Sequence, residues 1–152
     1  MLNSIYAKNC NWSFQTMIEI QNNNGSATGC VNWTLRLEGL IVLICSLLTY
    51  KHFSLASWKA FFLFFFFPDI SFLGYVIGKK FGAIFYNVMH SYTTPLLIGS
   101  SMLACSFVDF SYLIIIWVGH IGFDRALGYG LKYSTGFEYT HLGIIKSWKH
   151  KK

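Results

Sequence analysis

Within the stretch HIGFDRALGYGLKY, His120 and Asp124 stand four residues apart directly after a long apolar run. Residues at i and i+4 share one face of a helix, so both side chains project the same way. Asp69, just after Pro68, and His90, in YNVMHSYTTP, fall in two other apolar runs. Two imidazoles and two carboxylates form a donor set for a divalent ion of hard to borderline character, Zn²⁺, Mn²⁺ or Fe²⁺, whose open positions activate water. Asp69, His90, His120 and Asp124 are therefore the candidate metal ligands. Asn87, one turn before His90, is a candidate for the shell behind them. Glu38, at the start of the first apolar run, is a candidate proton acceptor, and Arg125 a candidate for steadying an anionic product. Two other readings use the same residues: interhelical hydrogen bonds that hold a bundle together, and a proton relay.

These side chains must be positioned by elements that lipid accepts. The chain has 152 residues, 54% apolar and 12% charged, and a mean hydropathy of +0.45, which is too greasy for an ordinary soluble domain of this size. Apolar segments run over roughly 35–50, 58–78, 82–106 and 108–128, joined by brief turns. They predict an all-α integral membrane bundle of about four transmembrane helices. The first is short against the ~20 residues that cross ~30 Å of hydrocarbon. Asp69 and His90 each lie about ten residues from Lys79 and Lys80, or roughly 15 Å along a helix. His120 falls at a similar level, with Asp124 and Asn87 one turn nearer the same membrane face. Pro68 removes a backbone donor, which membrane helices tolerate where a polar cavity takes up the freed groups. A polar pocket is the natural consequence.

The net charge of +6 sits in short clusters beside apolar runs, the pattern of topology signals, so nucleic acid is not an expected partner. Most Lys and Arg fall on one side, which places both termini in the cytoplasm of a plasma or inner membrane. Residues 1–32 read as a flexible polar extension, 33–144 as the membrane domain and 145–152 as a basic tail. The sequons at Asn11 and Asn32 then face the wrong compartment for glycosylation. Cys10, Cys30, Cys45 and Cys105 lack zinc-knuckle spacing and read as free thiols, with a Cys10–Cys30 disulfide the alternative. The glycines at 74, 78, 82, 119, 122 and 128 suit close helix approach. Lys132, Tyr129, Tyr133 and Trp148 suit an interfacial belt, and His141 reads as a surface histidine.

The segments LRLEGL, PDISFLGY, YNVMHSYTTP and HIGFDRALGYGLKY, followed by GFEYTHLG, resemble the family of integral membrane proteins called domain of unknown function 4260. The resemblance covers residues 35 to about 143, and it implies that Glu38, Asp69, Asn87, His90, His120, Asp124 and Arg125 occupy the family's polar motif positions. More distantly, the order Pro68-Asp69, His90-Ser91 and His120 with Asp124 is similar to membrane-bound metal-dependent hydrolases. Ser71 stands where those proteins carry a second acidic residue, and their upstream histidines have no counterpart here. That departure leaves room for a single metal or none. The expected activity is metal-assisted hydrolysis of a lipid-like substrate in the bilayer. The alternatives are a non-enzymatic structural or accessory membrane protein and a small proton-coupled transporter.

Overall fold

A computed structural model describes residues 26–53, 56–107, 109 and 111–145. Helix α1 spans Gly29–His52, so the first apolar segment starts six residues earlier than its hydropathy alone indicates. At 1.5 Å per residue its 24 residues extend about 36 Å. Lys51 and His52 close its last turn, where cations complement the carbonyl end. Helix α2, Trp58–Phe65, begins at Ser57, whose hydroxyl accepts from the Ala60 N–H. It then tightens into a 3-10 stretch, η1, over Phe67–Val76. Pro68, at the first helical turn of η1, cannot donate the hydrogen bond that would continue an α-helix from α2.

Among the described residues, two helical stretches are long and apolar enough to cross a membrane: Gly29–His52 and Trp58–Val76. Their large apolar side chains face outward, among them Trp33, Leu40, Ile44 and Leu48 on α1 and Phe62, Leu63 and Leu73 on the second. Outward-facing apolar surface on this scale suits lipid rather than water. The other two expected spans take a different form. The segment at 82–106 is broken at His90–Tyr92 into α3, Lys79–Met89, and α4, Thr93–Ala104. Neither half reaches ~30 Å by itself. Helix α5 covers Ser111–Leu127, 17 residues. After it the described residues are not helical: β1, Tyr139–Thr140, pairs antiparallel with β2, Gly143–Ile144, a small hairpin that hydropathy did not signal.

Helices α1 and α5 make the most extensive contact. A Cβ on Gly39 would lie 2.4 Å from Arg125 Cβ, and one on Gly122 would lie 2.8 Å from the Gly39 carbonyl oxygen. Only hydrogen fits at either place, so the backbones touch. Tyr50, Phe61, Phe65 and Ile116 fill the core beside this seam, and the Tyr50 hydroxyl donates to the Ser57 carbonyl at 2.8 Å.

The end of α5 is tied down by its neighbours. Gly128, at φ +94°, turns the chain out of the helix, and Tyr129 N–H donates back to the Asp124 carbonyl at 2.8 Å. Arg36 Nε donates to the Ala126 carbonyl at 3.0 Å, so this cation closes a helix end. The Asn32 amide donates to the Ala27 and Leu142 carbonyls, and Ala27 N–H donates to the His141 carbonyl. Residues 26–32 thus pack with the hairpin. The remainder of the polar extension, with Asn11 and Cys10, and the tail from 146 with Trp148 lie outside the described residues. Cys45 and Cys105 are free.

Candidate metal centre

The four candidate ligands come from three elements and meet. Asp69 Oδ1, on η1, lies 3.4 Å from His90 Nε2 and 3.5 Å from His120 Nε2. Asp124 Oδ2 lies 3.5 Å from His90 Nε2, and the two Nε2 atoms are 3.3 Å apart. One donor atom from each residue lies within 4.8 Å of all the others. A tetrahedral ion with bonds of about 2.1 Å has ligand edges of about 3.4 Å, which these four separations match. The histidine side chains are 3% and 1% exposed, Asp124 13% and Asp69 32%. The cluster therefore opens on the Asp69 side.

Local structure explains how each ligand is aimed. The 3-10 turn at Pro68 presents Asp69, whose N–H donates to the Phe66 carbonyl. His90 caps α3. Its Nδ1 lies 3.1 Å from the Tyr86 carbonyl, an acceptor that fixes the proton on Nδ1 and leaves the Nε2 lone pair for the cluster. The last carbonyls of α3 have no partner within their own helix. Trp117 Nε1 donates to the Met89 carbonyl at 2.7 Å and Arg125 Nη2 to the His90 carbonyl at 3.2 Å. Thus α5, which supplies His120 and Asp124, also grips the end of α3 that supplies His90.

Among the described residues, neither Asp69 nor Asp124 has a lysine or arginine nitrogen within 4.0 Å; their close charged partners are the histidines. Two carboxylates and an imidazole lone pair converge in a space from which water is largely excluded. Such a gathering of acceptors is costly unless a proton or a cation lies among them. His120 Nδ1 is buried with no hydrogen-bond partner, so no second contact fixes that ring's tautomer. A divalent ion held by all four would be neutralised by the two carboxylates.

The other sequence candidates lie elsewhere. Glu38 is exposed on α1 and is not among the four converging residues. The Asn87 side chain receives Lys132 N–H at 2.7 Å and donates to the Lys132 carbonyl at 2.9 Å; it holds a backbone rather than a ligand. Arg125 is spent on the His90 carbonyl and on the His141 ring, at 3.2–3.3 Å. His141 is a clamp and not a surface group. Its Nδ1 accepts from Leu131 N–H at 2.8 Å, and burial together with the Arg125 charge lowers its pKa to about 4.

Two residues that the sequence did not single out belong to the site. Tyr86 stacks on His90, ring centroids 3.8 Å apart, and donates its hydroxyl to Asp124 Oδ2 at 3.1 Å. It sits four residues before His90 on α3, a spacing that marks a shared face. Lys132 is only 4% exposed, which corrects its assignment to an interfacial belt. Its ammonium lies 3.9 Å from the Phe137 ring centroid and 5.2 Å from that of Tyr86. Burial lowers its pKa to about 8, with the Asp124 charge opposing the shift.

A family model described as Domain of unknown function (DUF4260) matches residues 32–145. The chain belongs to that family. The matched DUF4260 region contains all four converging residues as well as Tyr86, Asn87, Arg125 and Lys132. No curated protein and no solved structure matches the chain, and the more distant likeness to membrane-bound metal-dependent hydrolases gains no support from these comparisons.

Proposed function

We propose that this DUF4260 protein is a membrane hydrolase with one divalent ion, Zn²⁺, Mn²⁺ or Fe²⁺, held by Asp69, His90, His120 and Asp124. The observation that carries the reading is the approach of four donor atoms from three elements to within 4.8 Å of one another, four of their separations being 3.3–3.5 Å, the edge length of a tetrahedral site. An ion held there would supply Lewis acidity and, in a coordination position beyond the four protein ligands, an activated water for attack on an ester or phosphoester. Asp69, on the open side, would hold the ion through Oδ1 and take the proton from that water on its other carboxylate oxygen, a role for which Glu38, outside the cluster, is not suited. Arg125 acts on His90 through its carbonyl and is a positioning residue.

A lipid-like substrate is favoured by an apolar cavity of about 290 Å³ whose walls include Phe67, Pro68, Ile98, Met102 and Trp117. Pro68 adjoins Asp69, and Trp117 lies one turn from His120. An acyl chain in this cavity has its reactive end toward the tetrad. The expected setting is a plasma or inner membrane crossed by about four helical segments, with both termini cytoplasmic.

The test is metal analysis and thermal unfolding of the purified full-length chain in detergent. The expected result is about one equivalent of metal per chain, lost in His120→Ala and Asp124→Asn. Metal should raise the unfolding midpoint of the wild type alone. Absence of bound metal after loading, with both variants as stable as the wild type, would sink the reading. Variants that unfold while the wild type binds no ion would favour a purely structural network instead.

A further inference from the structure

Lys132 raises a question that the metal ligands do not answer. A lysine ammonium is rarely buried unless it is paired, yet among the described residues no carboxylate lies within 4.0 Å of this one. The protein nevertheless fixes it in place. Asn87 grips the Lys132 backbone at both its N–H and its carbonyl, and two aromatic faces hold the ammonium. One of those faces is Tyr86, the ring that stacks on His90 and donates to Asp124. The lysine is thus one aromatic ring away from two of the four ligands.

Charge decides what this arrangement does. Without an ion, the Asp124 carboxylate is the anion whose charge acts on both Lys132 and Arg125, though neither touches it. A divalent ion in the tetrad neutralises the carboxylates and leaves two positive charges without a counter-charge in a weakly screened interior. A second, negative ligand restores the balance, and a phosphate monoester dianion does so fully. Phe137, which covers the ammonium, lies on the turn at 134–138 and is itself 44% exposed, so the cover faces outward.

We propose that the tetrad binds its cation together with a phosphate-like oxyanion, and that Lys132 is the protein's charge for that anion. This deepens the metal reading above and rests on it. The substrate class becomes an anionic phosphoryl compound, with the apolar cavity available to its acyl chain. Binding of the two ions is then linked, each tightening the other by the same factor.

The experiment is a Mn²⁺ titration of the full-length chain in a non-ionic detergent. It is run alone, with inorganic phosphate, and with phosphatidic acid in the micelle, for wild type and Lys132→Met. In the wild type, phosphate or phosphatidic acid should tighten Mn²⁺ binding about 5- to 150-fold. Phosphatidic acid acting alone identifies a lipid headgroup as the source, whereas inorganic phosphate acting as well identifies the free ion as sufficient. In Lys132→Met, Mn²⁺ by itself should bind more tightly than in the wild type, because a competing cation has gone, and the anion effect should vanish. Damage to the fold cannot produce tighter metal binding. The proposal is overturned if Lys132→Met keeps the anion effect, or if neither anion changes Mn²⁺ affinity in the wild type; in both cases the metal reading stands. If no variant binds Mn²⁺ or another divalent ion, the metal reading fails and this proposal falls with it.

Discussion

Replacing Gly39 with alanine tests whether the α1–α5 seam positions the cluster. The added Cβ would meet Arg125 Cβ at 2.4 Å, the Gly122 carbonyl oxygen at 2.8 Å and Ala126 N at 2.9 Å, where ordinary contact begins at 3.4 Å. The helices must therefore part by about 1 Å, since two of the three obstacles are backbone atoms that cannot swing aside. Overpacking of this kind costs about 1–3 kcal/mol, and the backbone obstacles put Gly39 at the upper end. For a chain of this length that corresponds to a fall of roughly 6–12 °C in the unfolding midpoint. The same displacement carries Arg125 away from the His90 carbonyl, now at 3.2 Å, and opens the His120–His90 edge, so metal affinity should fall as well. Gly119→Ala is the control, because its Cβ would meet only the Ser46 side chain, at 3.1 Å, and its cost should stay below about 1 kcal/mol. Thermal unfolding in detergent without metal, followed by metal titration, reads both effects. A Gly39→Ala protein as stable as Gly119→Ala would refute the reasoning about the seam. One that is clearly destabilised yet binds metal as the wild type does would refute the link from seam to site.

Tyr86→Phe keeps the ring on His90 but removes the hydroxyl from Asp124. It should cost about 1.5–3 kcal/mol of stability and about 10- to 100-fold in metal affinity; unchanged affinity would separate Tyr86 from the site. His141 gives a pH dependence with a definite sign. Its pKa in the fold, about 4, lies below the ordinary value of ~6.5, so the unfolded chain takes up the proton first. The clamp's stability is therefore full above about pH 6.5 and is lost as pH falls toward 4. The half-buried position limits the size to about 1–2 kcal/mol. Subtracting the midpoint-against-pH curve of His141→Asn from that of the wild type isolates this effect, and a difference that stays flat between pH 7 and 4 would count against the clamp.

Much of the site was legible in one dimension. Ionisable groups in apolar runs are expensive enough to mark themselves, so Asp69, His90, His120 and Asp124 could be singled out by type and depth, and the HxxxD spacing fixed a common face for two of them. Hydropathy likewise marked α1 and the α2–η1 stretch as lengths that can cross a membrane. It overstated the regularity of the segment at 82–106, because apolarity does not record the break at His90–Tyr92, where α3 ends and its carbonyls pass to Trp117 and Arg125.

Roles that depend on partners distant in sequence were decided by the tertiary structure alone. Arg125 is adjacent to Asp124 in the chain yet serves His90 and His141. Asn87 lies three residues before His90 yet serves Lys132. Lys132 stands among residues that read as an interfacial belt, and only the fold of the hairpin carries it under Phe137 and against Tyr86. Composition and periodicity report what a side chain is and which face it occupies. Which acceptor an arginine finds, or whether a lysine reaches water, depends on elements dozens of residues away, and that information exists only once the chain has packed.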